Sequence, residues 1–183
     1  MPYLKYFDNK TNYGNRGMVL EEDINATNEY YLTNDIAVIY KKPTPIKILK
    51  LDYTTNKITN AFFETQSTLD YNGIYKGKYI EFDAKETKSK TSFPLNNIHP
   101  HQLKHMERIY KHGGICFLIV RFVLLDKTYL LFAKDLLEFI NNNDRKSIPL
   151  SFFEERCKKI ELKYSPRLDY IKIIKECMEK WKY

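Results

Sequence analysis

Tyr79-Ile80-Glu81-Phe82-Asp83-Ala84-Lys85-Glu86 carries two messages in one alternation. Ile80, Phe82 and Ala84 fall on one side of a strand of period two, and Tyr79, Glu81, Asp83 and Lys85 fall on the other. The second side is an acid-and-ammonium ladder. Asp83 and Lys85 would stand roughly 6 to 7 Å apart along it, so a hard cation on Asp83 and the Lys85 ammonium could act on one phosphate. Asp70 can bring a second carboxylate. Asn72-Gly73 and Lys76-Gly77 read as turn dipeptides that fold the residue-70 segment back beside the residue-80 strand, giving the spacing D-x12-D-x-K. A strand with one wet and one dry face requires no function by itself. What adds weight is the run that follows, Lys85-Glu86-Thr87-Lys88-Ser89-Lys90-Thr91-Ser92, whose cations and hydroxyls suit phosphate oxygens.

Composition points the same way. A formal charge of +7 and a pI near 9.1, with fifteen Tyr and eleven Phe among the lysines, suit a polyanionic partner. At 183 residues the chain can bury one core and is short for two ordinary domains. Cys116, Cys157 and Cys177 are far apart and lack a C-x-x-C, which argues against a disulfide framework and a thiolate metal site and fits a reducing cytosol. Met1 to Lys10 has no apolar core, and the run from Ile115 to Leu125 is short and interrupted by Arg121. Neither a leader nor a membrane span is expected, and the predicted location is cytoplasmic.

Along the chain, residues 1–15 are polar and expected to be loose, with Asn15-Arg16-Gly17 able to approach a phosphate. Leu20, Ile24, Thr27 and Tyr31 predict a helix from Met18 to Leu32, with Glu21, Glu22 and Asp23 in its first turns, where acids suit the dipole. Glu21 could also reach the sheet. Ile36 to Tyr40 reads as a buried strand, broken by Lys41-Lys42-Pro43-Thr44-Pro45. Two arms, Ile46 to Asp52 and Lys57 to Phe63, then join around Thr54-Thr55-Asn56. With lysines at 41, 42, 47, 50 and 57 they form a projecting basic hairpin, although Lys and Pro also protect ordinary edge hairpins. After a loop at 93–97, a helix runs from Pro100 to Gly113-Gly114 on the stripe Leu103, Met106, Ile109 and Tyr110. His99, His101 and His105 at its start suit phosphate or surface contacts better than zinc. Strands are expected at 115–122 and 128–132, and helices at 134–141, at 151–158 capped by Ser151 with Glu154, and at 167–183 with Ile171, Ile174 and Met178 or Trp181 inward.

Several longer words resemble one family. Gly14-Asn15-Arg16-Gly17-Met18, Asn34-Asp35-Ile36-Ala37-Val38-Ile39, Ser67-Thr68-Leu69-Asp70-Tyr71-Asn72-Gly73, Thr91-Ser92-Phe93-Pro94-Leu95-Asn96-Asn97-Ile98-His99 and Pro166-Arg167-Leu168-Asp169-Tyr170 look like the RecU family of Holliday-junction resolvases, nearly end to end. The resemblance implies an α/β fold: a mixed central β-sheet flanked by helices, with a restriction-endonuclease-like PD-(D/E)xK core. Residues 1–183 would form one nuclease domain, with 41–63 inserted as a β-hairpin stalk. It implies a bacterial homodimer that cuts a four-way DNA junction during recombination and repair, with other recombination proteins as candidate partners. By motif, Thr68, Asp70, Asp83 and Gln102 match magnesium positions, with manganese as the expected substitute, and Lys85 matches the transition-state stabiliser.

Gln102 comes from the resemblance alone. Arg16, Lys41, Lys42, Lys47, Lys50, Lys88 and Lys90 are the candidates for DNA contact. Where the family often has Glu, this chain has Asp83, shorter by one methylene; Asp83 is expected to remain a ligand, with Glu81 its rival. Two alternatives stay open: a duplex nuclease of the same core, and a junction-binding protein without catalysis.

Overall fold

The computed structural model describes residues 16–64 and 68–180; the expectations for residues 1–15, the Arg16 side chain and Trp181 lie outside the described residues. Helix α1 (Arg16–Thr33) leads into β1 (Val38–Lys41). The arms β2 (Ile46–Asp52) and β3 (Lys57–Phe63) follow, then β4 (Tyr71–Tyr75) and β5 (Lys78–Thr87). A short β6 (Ser92–Pro94) precedes α2 (Pro100–Lys111), β7 (Ile115–Phe122) and β8 (Lys127–Phe132). The chain continues with α3 (Ala133–Asn142), β9 (Ser147–Pro149), α4 (Leu150–Arg156), β10 (Lys158–Ile160) and α5 (Tyr170–Lys180).

The main sheet has six strands in the order β1-β4-β5-β7-β8-β10. Its one parallel pair is β5 with β7, in register from Ile80 opposite Ile115 to Thr87 opposite Phe122. Parallel neighbours cannot be joined by a tight turn, so α2 has to cross over one face of the sheet. That crossover corrects the expected wet face of β5. Glu81 and Asp83 are 1% and 0% exposed, because α2 lies over the side to which they point.

Two apolar cores result, one on each face. Ile80, Phe82, Phe117 and Ile119 meet Leu20, Ile24 and Tyr31 of α1 and Tyr170, Ile171 and Ile174 of α5. Cys116, Leu118 and Val120 meet Met106 of α2, Leu136 and Phe139 of α3 and Phe153 of α4. Within the first core Phe82 is stacked between Tyr71 and Phe117, with centroids 4.8 and 4.7 Å away and planes within 9° of parallel.

Other departures have local causes. Lys76-Gly77 makes the β4–β5 turn with both residues at positive φ, but Asn72-Gly73 lies inside β4. Gly73 is there for proximity: a Cβ on it would sit 2.0 Å from the Val38 carbonyl oxygen. Helix α1 begins at Arg16, so it has no acid in its first turn, and Asp23 instead pairs with Arg121 at 2.8 Å and Arg167 at 2.9 Å. Helix α4 begins after Pro149, and Ser151 makes no cap. Helix α5 starts at Tyr170 rather than Arg167, after the cis Ser165-Pro166 bond.

The hairpin matches its expected bounds. β2 and β3 pair only with each other, with a register irregularity at Lys50, and their side chains are exposed apart from the half-buried Leu51 and Asp52. Asp52 holds the tip by accepting the Thr54 N–H at 2.9 Å and the Thr55 hydroxyl at 2.8 Å, while Asn56 takes φ 53°. Glu64 donates its N–H to the Pro45 carbonyl at 3.0 Å, closing the base. Seven strand residues extend about 23 Å.

Candidate active site

β5 delivers Asp83 and Lys85 to the α2 side, and the segment after the hairpin delivers Asp70 at the start of β4. Asp83 Oδ2 accepts from the Lys85 ammonium at 2.8 Å and from the Gln102 amide Nε2 at 2.7 Å, and Oδ1 accepts the Ala84 N–H at 2.9 Å. Asp70 faces Asp83 and is coupled to it. Burial first, and then the facing Asp83, push the Asp70 carboxyl up to about 7, with Lys85 pulling against them. Two coupled carboxyls in a half-buried site hold more negative charge than one ammonium offsets.

This donor set fits a hard divalent cation. Such ions take oxygen ligands and are favoured where acidic groups crowd, and Asp70 and Asp83 supply both features, with the Thr68 hydroxyl two residues before Asp70. Among the described residues no group of three His, Cys, Asp or Glu side chains converges as a metal cage, so the carboxylate pair is the nucleus of the candidate site. Gln102 enters differently from the expected ligand. Its Oε1 accepts the His99 N–H at 3.1 Å, closing a capping box at the α2 N-terminus, and only its Nε2 faces Asp83.

Glu81, the rival acid, is turned to other partners. It accepts from Lys42, from His105 Nε2 and the Tyr79 hydroxyl, both at 2.9 Å, and from the Leu69 N–H at 3.2 Å. Burial alone would raise its carboxyl; the bonds from Lys42, His105 and Tyr79 outweigh burial and hold it below the ordinary value. Sequence reasoning missed this hub, reading His105 as a phosphate or surface contact and Lys42 as a DNA contact, because neither shows a partner within a strand or helix period.

The basic residues divide into paired and projecting groups. Lys42 is spent on Glu81, and Lys41 pairs with Glu21 at 2.5 Å on the flank of α1. Glu21 itself contributes a negative charge that helps raise Asp70. Lys47 and Lys50 project from the hairpin, Lys47 lying 5.9 Å over the Phe62 ring. Lys88 and Lys90 are exposed on the loop leaving β5, which Ser89 Oγ braces by accepting the Thr91 and Ser92 N–H groups at 3.2 and 3.1 Å.

A family model described as recombination protein U, RecU, matches residues 15–176, taking in every element that builds the site. The chain belongs to the RecU family. It is 55% identical over 168 residues to the Holliday junction resolvase RecU of Geobacillus kaustophilus, covering 88% of this chain and 84% of that one. It is 52% identical over 173 residues to the protein of that name from Pediococcus pentosaceus, with 91% and 86% covered. The corresponding Bacillus mycoides protein is 50% identical over 171 residues, with 90% and 86% covered. RecU membership accords with the mixed sheet flanked by helices. Among the described residues no helix is long and apolar enough to cross a membrane.

Proposed function

We propose that this chain is a magnesium-dependent endonuclease that resolves Holliday junctions by paired nicking, acting as a homodimer in recombination and repair in the bacterial cytoplasm. The observation that carries the reading is the Asp70–Asp83–Lys85 cluster at the root of a basic hairpin: the Lys42 N–H bonds the Asp70 carbonyl at 2.7 Å where the hairpin leaves the sheet. A carboxylate pair with an adjacent ammonium suits metal-assisted phosphodiester hydrolysis, and a projecting cationic arm suits selection of a branch over a linear duplex.

Asp70 and Asp83 would hold the magnesium, with Thr68 adding a hydroxyl oxygen; manganese would serve in its place. When bound, the ion supplies Lewis acidity and a more acidic water. Lys85 offsets charge growing on the phosphate oxygens during attack. Gln102 keeps Asp83 aimed and ties it to the end of α2. Lys88 and Lys90 on the loop leaving β5, with Lys47 and Lys50 on the hairpin and Arg16 as the first residue of α1, take phosphates of the arms. Two such sites related by a two-fold axis would match the near-two-fold symmetry of a four-way junction.

Incubating the full chain with a synthetic four-way junction in magnesium tests this reading. Symmetric nicks near the crossover, absent when the metal is chelated, are the expected result. Binding without cutting would leave a junction-binding protein, and equal cutting of linear duplex would leave a duplex nuclease of the same core.

A further inference from the structure

We infer that Glu81 is a positioning residue coupling engagement of the hairpin to the metal affinity of the Asp70–Asp83 pair, an inference that rests on the reading of hairpin and pair just given. A carboxylate 1% exposed must be compensated, and four donors do so here. What matters is where the donors come from. Lys42 is the first residue beyond β1 and begins the path into the hairpin. Leu69 is the residue before Asp70. His105 stands three residues after Gln102 on α2, so the helix that holds Asp83 through Gln102 is also held by Glu81.

Glu81 itself is the least movable member, sitting on β5 with strands paired on both sides. A displacement of Lys42 therefore re-aims the Glu81 carboxylate on a backbone that stays in place. It reaches Asp70 by two routes, through Glu81 to the Leu69 N–H and directly through the Lys42 N–H to the Asp70 carbonyl at 2.7 Å. Pro43 and Pro45 stiffen the path between the arm and Lys42, so movement at the base is transmitted and not absorbed. A core acid that merely needed satisfying could take its donors from one element; this one takes them from the hairpin root, the Asp70 segment and α2. The carboxylate thus ties together the parts that must agree before cutting.

Manganese binding to the full chain, followed by electron paramagnetic resonance with and without a hydrolysis-resistant four-way junction, tests the coupling. The parent is expected to bind manganese about tenfold more tightly when the junction is present. Glu81→Gln is expected to keep its junction affinity and its DNA-free manganese affinity, yet lose that gain. Lys42→Gln, which removes a single and partly exposed spoke, is expected to lose it too, and answers the question if Glu81→Gln does not fold. A full gain retained in either folded variant overturns the coupling, as does a parent that binds manganese with no gain. A parent that binds no manganese and cuts no junction overturns the metal-site reading along with it. A purely structural Glu81 would lower the melting temperature and leave the gain intact.

Discussion

Gln102 donates to Asp83 at 2.7 Å while accepting from the His99 backbone at 3.1 Å, so one amide joins the acid of β5 to the start of α2. Reversing the amide would set its NH2 against the His99 N–H, so the donor role toward Asp83 is fixed by the helix cap. Gln102→Glu keeps the cap acceptor and replaces the donor with a third carboxylate. In the absence of metal it is expected to be less stable than the parent by about 1 to 3 kcal/mol, the cost of an unpaired buried acceptor, and to recover part of this on adding magnesium. Thermal melts with and without magnesium check it; an unchanged metal-free melt would mean that Gln102 is no donor to Asp83.

Asp70 should give the protein an inverted pH response. Its folded carboxyl is raised to about 7, above an unfolded value of about 3.9. Its contribution is therefore fully present below the unfolded value and is lost as pH rises through about 7. In chelator at pH 8, Asp70→Asn should be more stable than the parent, on the order of 1 kcal/mol after solvent screening of this half-buried group. At pH 4 the difference should vanish. Melts of both proteins across that range decide it, and a variant less stable than the parent at pH 8 would deny the repulsion. At limiting magnesium, the parent's apparent metal affinity should weaken as pH falls below about 7, since proton and cation compete for Asp70.

Lys85→Ala should fold and bind junction DNA within a few fold, since most of the basic footprint remains. Cleavage should slow by about 2 to 4 kcal/mol in transition-state terms, the scale for one lost charge stabiliser. Asp83→Asn should be inactive in the same assay. Single-turnover cutting at the parent rate by either variant would remove that residue from the chemistry.

Shortening the arms between Pro45 and Phe62 should leave the melting temperature of the remainder nearly unchanged, because β2 and β3 pair only with each other. Junction affinity should fall more than duplex affinity. Gel shifts on both substrates compare them, and equal losses would reduce the hairpin to a generic basic surface.

The hairpin arms were legible to the residue because a charged, proline-flanked pair of short strands depends on nothing else in the molecule. The alternation of β5 was legible too, but not the fate of its polar side. Whether Glu81 and Asp83 meet water or a helix depends on where α2 lands, and strand period carries no information about that. The Asn72-Gly73 misreading has the same root, since only the close approach of β1 shows why Gly73 is needed. β6, β9 and β10, three residues each, exist through partners distant in the chain. Gln102 gave no local signal as a site residue because a glutamine at the third position of a helix reads as a cap. It is one, and the site uses its other end.

The stack of Tyr71, Phe82 and Phe117 lies on the sheet face opposite the one that presents Asp83 to α2. Backbone amides there sit in paired strands under closed rings, so deuterium should reach them only through global opening, last of all in the chain. The hairpin has no such backing, and a lone two-stranded ribbon is marginal in water; its amides should exchange through frequent local opening. Deuterium uptake would then divide one short chain into a slow anvil under the acids and a fast-breathing arm, with Lys42 at the boundary between them.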